Sequence, residues 1–251
     1  MKRHWLTISL IASTAFLPLA QAENNCRLQL AGDSTMQITS PERHPDFGWG
    51  MALADAAKPG TKVFNFAKGG RSTRTFIEEQ RWEELINNTR DGDWVLIQFG
   101  HNDASYSKRE RYTAPVDFEA NLRRMVQDVR EVGARPILLT PVVRRHFDDE
   151  GKLRDMHGIY PSLVRDVALD MKVHLIDLFE LSSEAIVELG VLNSIDLFVH
   201  IGPGVHPCCA EGRLDNTHFT RKGSQWASQI VIKAMADNGL TELAQCFKEI
   251  Q

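Results

Sequence analysis

Cysteine is scarce in this 251-residue sequence: Cys26, Cys208, Cys209 and Cys246 are the only four, and no two of them stand in a Cys-x-x-Cys pair. That spacing argues against a zinc site. An excess of basic charge is lacking too. The formal net charge is −4, which leaves no global basic field for nucleic acid. Beyond Ala22 no stretch approaches the roughly 20 apolar residues of a membrane helix, and no linker, repeat or low-complexity segment divides the chain. Gly-x-Ser-x-Gly, the spacing of the α/β-hydrolase nucleophile elbow, is also missing, which disfavours that family. What remains, 43% apolar and 25% charged residues, is an ordinary globular mixture with no disorder signature.

The N-terminus has the features of an export signal. Lys2, Arg3 and His4 form a basic start, residues 6–20 are mostly apolar with a break at Pro18, and Ala20-Gln21-Ala22 is a small-x-small cleavage pattern. The expectation is a signal peptide over residues 1–22 and one domain over 23–251, secreted or periplasmic, with no membrane attachment after cleavage. Four cysteines in such a compartment permit two disulfides in three connectivities. Cys208 and Cys209 are adjacent, and a vicinal bridge is strained, so each is expected to pair with a distant cysteine.

Strand-like and helix-like segments alternate along the rest. Strands are expected near 27–31, 62–66, 94–99, 136–140 and 174–177, and helices near 48–57, 76–88, 117–132, 160–171, 181–192 and 222–238. Residues 202–214 read as irregular. Five strands alternating with helices argue for an α/β sandwich around a mostly parallel sheet. In such folds ligands bind in the crevice at the carboxyl ends of the strands. Three polar segments follow strands here: Gly32-Asp33-Ser34, Gly69-Gly70-Arg71 and Gly100-His101-Asn102-Asp103.

Those segments hold the parts of a serine hydrolase. Ser34 follows a strand and a glycine, although a serine there by itself is more often a helix cap. Asp215 and His218 stand three apart, a spacing that lets the carboxylate orient the imidazole and leave its other nitrogen for Ser34. Gly70 N–H, the Asn102 amide and Ser34 N–H are candidate oxyanion donors. No metal or organic cofactor is needed for this chemistry.

Taken in order, Gly-Asp-Ser, Gly, Gly-x-Asn-Asp and Asp-x-x-His resemble the SGNH, or GDSL-like, hydrolase superfamily. Ala31-Gly32-Asp33-Ser34-Thr35-Met36, Gly48-Trp49-Gly50, the run 65–72, Phe99-Gly100-His101-Asn102-Asp103 and Asp215-Asn216-Thr217-His218 most resemble its rhamnogalacturonan acetylesterases. The resemblance implies a flavodoxin-like three-layer αβα sandwich with a five-stranded, mostly parallel sheet. It implies Ser34 as nucleophile, His218 as base, Asp215 as its partner, and Ser34, Gly70 and Asn102 as the oxyanion hole. The substrate it implies is an acetylated polysaccharide or oligosaccharide, such as pectic rhamnogalacturonan. Arg71, Arg144 and Arg145 are then candidates for binding substrate carboxylates, and His157 for touching sugar. The competing readings are a lipolytic esterase or thioesterase of the same superfamily and a non-catalytic carbohydrate-binding protein.

Overall fold

The computed structural model describes residues 26–250; the leader expected over 1–22 lies outside them. The elements in chain order are β1 (Arg27–Gly32), α1 (Trp49–Asp55), β2 (Lys62–Asn65), α2 (Thr73–Glu78), α3 (Arg81–Asn88), β3 (Trp94–Gln98), α4 (Pro115–Glu131), β4 (Arg135–Leu139), α5 (Tyr160–Met171), β5 (His174–Ile176), α6 (Leu178–Asn193), β6 (Phe198–Ile201), β7 (Arg213–Phe219), α7 (Arg221–Asp237) and α8 (Thr241–Ala244). The first five strands form one parallel sheet in the order β2-β1-β3-β4-β5. This is the flavodoxin-like doubly wound order, with the strand order reversing at β1 and β3.

The two-residue period of the strands builds the three layers. Leu28 and Leu30, Trp94 and Leu96, Ile137 and Leu139 face one side, where they pack with residues of α1, α6 and α7 such as Leu53, Ile186 and Val231. Their alternates Ala31, Val95, Ile97 and Leu138 face the other side, against Phe76, Leu85, Phe118, Val126 and Val164 of α2 to α5. Both faces are covered, which is why the strands read as continuous apolar runs.

Three expectations are corrected. The helix expected over 76–88 is two helices, α2 and α3, separated at Gln80, whose φ of 61° is left-handed. Ser72 caps α2 in a reciprocal box with Thr75, so the helix also starts earlier than its apolar spacing indicated. Cys26 bonds to Cys246, with Cα atoms 6.3 Å apart, and Cys208 and Cys209 are free thiols. The start of β1 lies beside the C-terminal segment, whereas Cys208 and Cys209 sit in the connection between β6 and β7. Finally, the stretch read as irregular is flanked by an antiparallel pair, β6 and β7.

That pair has a register shift. His200 lies opposite Leu214 and Phe198 opposite Phe219, so two steps along β6 are matched by five along β7. Residues 215–218 therefore bulge out of the ladder. In a regular strand, residues three apart point to opposite faces. The bulge is what lets Asp215 and His218 meet.

Candidate active site

Ser34 sits in a tight turn at the carboxyl end of β1. The Met36 and Gln37 N–H groups both donate to the Asp33 carbonyl, at 3.2 and 3.1 Å. The Asp33 side chain points inward, where its Oδ1 accepts the Thr35 N–H and hydroxyl, each at 2.9 Å. A chain of bonds carries on through Gln98, which donates to Thr35 Oγ1 at 3.2 Å and accepts from the Trp49 indole at 2.7 Å. Gly32 is needed for space: a Cβ there would lie 2.8 Å from Met36 Sδ and 3.1 Å from the Gln98 carbonyl oxygen. The Ser34 hydroxyl is left pointing outward.

The bulge of β7 brings the acid–base pair to it. His218 Nε2 lies 2.8 Å from Ser34 Oγ, and His218 Nδ1 lies 2.7 Å from Asp215 Oδ2. The other Asp215 oxygen accepts the N–H groups of Thr217 and His218 at 2.8 and 2.9 Å, which holds the bulge closed. Arg213 donates to Asp215 and, at 3.1 Å, to Asp46. Burial alone would push the Asp215 carboxyl up, but the hydrogen bond and charge of His218 and the two backbone donors hold it below the ordinary carboxylate range. Asp215 is thus an anion wherever the imidazole is asked to accept a proton.

The candidate oxyanion donors gather on the facing wall. Gly70 has a φ of 78°, a left-handed conformation that favours glycine. Asn102 donates one amide hydrogen to the Arg71 carbonyl at 2.9 Å, which fixes the amide plane and leaves the second hydrogen free. Among the described residues no protein acceptor takes the N–H of Ser34 or of Gly70. Ser34, Gly70, Asn102, Asp215 and His218 line one cavity of about 390 Å³. This arrangement can transfer a proton from the serine, develop an alkoxide nucleophile and receive the negative charge of a tetrahedral intermediate.

Residues 30–226 match the model of the GDSL-like lipase/acylhydrolase family. The chain belongs to that family. The hydrolase is 37% identical over 212 residues to the rhamnogalacturonan acetylesterase RhgT of Bacillus subtilis, covering 84% of this chain and 90% of that one. Among solved structures, the YxiM protein of Bacillus subtilis superposes with a TM-score of 0.73 at 25% identity; the match covers 87% of this chain and 58% of that longer one. An acetylxylan esterase from Geobacillus stearothermophilus shares the fold, with a TM-score of 0.59 at 20% identity over 90% of this chain and 96% of that one. The hydrolase is a carboxylic ester hydrolase.

Of the four residues expected at the substrate, only Arg144 of the hydrolase lines this cavity. Arg145 is 7% exposed and turned inward: it donates to Ser194 Oγ at 2.9 Å, to the Val191 carbonyl and to Asn216 Oδ1 at 3.1 Å. Its backbone N–H also bonds to the Asn216 carbonyl at 2.8 Å, so Arg145 braces the bulge that carries Asp215 and His218. His157 is 2% exposed and packs edge-on against His101 and Phe179, with ring centroids 4.6 and 5.4 Å away. Burial holds its imidazole well below the usual histidine range, so it is a neutral core group. The Arg71 guanidinium bonds to Glu79 at 2.9 Å and to the Gly69 carbonyl at 2.9 Å; its use to the site is the carbonyl that anchors Asn102. Lys108, Arg111 and Ser105 do line the cavity. Nothing in their local sequence marks them, because they reach it through the loop between β3 and α4.

Proposed function

We propose that this hydrolase is an exported carbohydrate acetylesterase that removes acetyl groups from rhamnogalacturonan or a related pectic polymer through an acyl-enzyme on Ser34. The observation that carries the mechanism is the line of hydrogen bonds from Asp215 through His218 to Ser34, at 2.7 and 2.8 Å, in a cavity that also holds Gly70 and Asn102. Ser34 Oγ attacks the acetyl carbonyl carbon as His218 Nε2 takes its proton. The oxyanion forms against the Ser34 and Gly70 N–H groups and the free Asn102 hydrogen, each such donor worth about 2.7–4 kcal/mol. The ester C–O bond breaks, and His218 returns the proton to the departing sugar oxygen. Water, deprotonated by the same imidazole, then releases acetate and restores Ser34.

The acyl group is small. Among the described residues no phenylalanine, tyrosine, tryptophan, leucine, isoleucine, valine or methionine lines the cavity, so an acyl chain of eight or more carbons gains no apolar wall. The name of the rhamnogalacturonan acetylesterase relative supports the substrate. The Cys26–Cys246 disulfide supports an oxidising compartment, in agreement with the signal pattern over residues 1–22. Acetate release from acetylated rhamnogalacturonan, pectin and xylan, with a long-chain ester as control, tests the reading, and N-terminal sequencing of the exported protein tests cleavage after Ala22. Replacement Ser34→Ala is expected to lower turnover at least about 10⁴-fold with the fold intact. Full activity of that variant, or preference for the long-chain ester, would overturn it.

A further inference from the structure

Two thiols remain that ester hydrolysis does not use. Cys208 and Cys209 lie in the connection between β6 and β7, Cys208 exposed and Cys209 partly so. The other two cysteines of the chain are bonded to each other, so within one molecule each of this pair has only its neighbour. In the oxidising compartment of the exported reading above, an accessible thiol meets disulfides continually. The peptide between the two is trans, which sets their Cα atoms about 3.8 Å apart, shorter than the usual disulfide range of roughly 4.4–6.8 Å. A bridge between these neighbours is therefore strained and readily reduced. The Cys26–Cys246 bond differs, since its Cα separation of 6.3 Å is ordinary.

The turn that carries the pair is tied to the active site. The Cys208 N–H donates to His206 Nδ1 at 3.2 Å, and the Cys209 N–H to the His206 carbonyl at 3.0 Å. His206 Nε2 donates to the Pro41 carbonyl at 2.9 Å. Both nitrogens of that ring are thus engaged, and neither is left to join the thiols as a metal ligand. The Cys209 carbonyl accepts the Gly212 N–H at 2.9 Å. Arg213 follows directly, and its guanidinium bonds to Asp215 and, at 3.1 Å, to Asp46. One residue therefore separates the cysteine turn from the arginine that holds the partner of His218.

We propose that Cys208 and Cys209 form a redox modification site, a dithiol that exchanges with small disulfides and closes a reversible vicinal bridge. The exposed Cys208 thiolate attacks one sulfur of a disulfide such as glutathione disulfide, and one glutathione leaves as its S–S bond breaks. Cys209 then attacks the Cys208 sulfur of the mixed disulfide, and the second glutathione leaves. The cysteines give up two electrons and two protons, which end in two glutathione thiols. Adjacency makes the second step intramolecular, so closure outruns a lasting adduct. Closure also turns the peptide whose N–H bonds to His206, disturbs the turn ahead of Arg213 and so lowers turnover. The Cys209 thiol and partial burial hold the Cys208 thiol above the ordinary cysteine range, with Asp46 adding and Arg213 opposing; exchange therefore speeds as pH rises.

The test treats the whole protein with glutathione disulfide at a pH of about 8.5, where thiolate is more abundant, then alkylates it and maps its peptides by mass spectrometry. The peptide holding both cysteines is expected to lose two hydrogens and to carry neither glutathione nor an alkyl group. Mild dithiothreitol should reverse this while leaving Cys26–Cys246 closed. Cys209→Ser has no second thiol and is expected to keep glutathione on Cys208. On 4-nitrophenyl acetate, kcat should fall about threefold in the bridged form and recover on reduction. The same treatment should leave kcat of the double variant Cys208→Ser, Cys209→Ser unchanged. Two alkylated thiols, a lasting glutathione adduct on the wild type or a disulfide-linked dimer would each overturn the bridge. Equal kcat in the bridged and reduced forms overturns its link to Asp215. The thiol readout does not depend on the ester cleaved or on export, so failure of the acetylesterase reading is seen separately, as absent acetate release from polysaccharide.

Discussion

Two aspartate–histidine pairs flank Ser34, and they differ in everything except residue type. Asp215 and His218 lie on the bulge of β7, half-buried, 2.7 Å apart along a hydrogen bond, with the far nitrogen of the imidazole on the serine. Asp33 and His101 lie beneath the serine turn, 0% and 3% exposed. Their nearest atoms are 3.3 Å apart, and neither is aligned for a hydrogen bond to the other. Burial lowers the His101 pKa and holds its ring neutral, while the carboxylate of Asp33 is bound by Thr35 rather than by solvent. The exposed pair can exchange a proton with Ser34 and with a substrate. The buried pair cannot, and instead packs the turn after β1 against the segment after β3 that carries Asn102. Water access and bond direction, not identity, separate a proton-handling pair from a structural one.

Breaking the exposed pair should have the largest effect. His218→Ala is expected to lower kcat on a small acetyl ester by about 10⁵–10⁶, with an unchanged unfolding midpoint. Asp215→Asn keeps the shape but offers the imidazole no anion, and a loss of about 10⁴ in kcat is expected. A loss from either variant below tenfold would remove the pair from the mechanism. Breaking the buried pair should show the opposite balance. His101→Leu removes the edge-on ring contact with His157 and is expected to cost about 0.5–1.5 kcal/mol in denaturant unfolding, with about a tenfold fall in kcat and little change in KM. A loss as large as that of His218→Ala would mean that His101 handles protons after all.

The smallest effect sharpens the role of burial. Asp103, next to Asn102, is fully buried and accepts the Thr73 N–H and hydroxyl at 2.9 and 2.7 Å. Burial outweighs those donors and pushes its carboxyl up to about 6. A carboxyl raised on folding binds its proton more tightly in the folded state. Its contribution to stability is then fully present below the ordinary carboxylate range and is lost as pH rises through about 6. The two-unit span corresponds to about 3 kcal/mol at most. Asp103→Asn does not titrate, so the stability of the variant relative to the wild type should rise between pH 4 and pH 7 in urea unfolding. A parallel pH profile for the two proteins would show that the group is not protonated in the fold.

Much of the site is written in local residue patterns. Gly-Asp-Ser, Gly-x-Asn-Asp and Asp-x-x-His each end or interrupt a strand, and the alternation of apolar runs with helical spacings places the first two at one sheet edge. Arg145 and His157 show where such reading stops. Both stand in a polar connection and look like surface residues in sequence, yet one braces Asn216 and the other stacks on His101 in the interior. Burial of a polar side chain depends on partners tens of residues away, as with the 71 positions between Arg145 and Asn216. The cysteines are similar: the pairing of Cys26 with Cys246 spans 220 residues.

The sequence alone marked the five parallel strands, most of their helices and Ser34, Asp215 and His218 as the candidate site residues, because the periods of strand and helix and the order of the motifs are local properties. Tertiary structure decided how Asp215 and His218 come to face the serine. A register shift between β6 and β7 extrudes four residues of a strand whose regular geometry would have pointed the two side chains apart. It also decided which cations line the cavity, since Lys108, Arg111 and Arg144 converge only where two sheet-edge loops close around it.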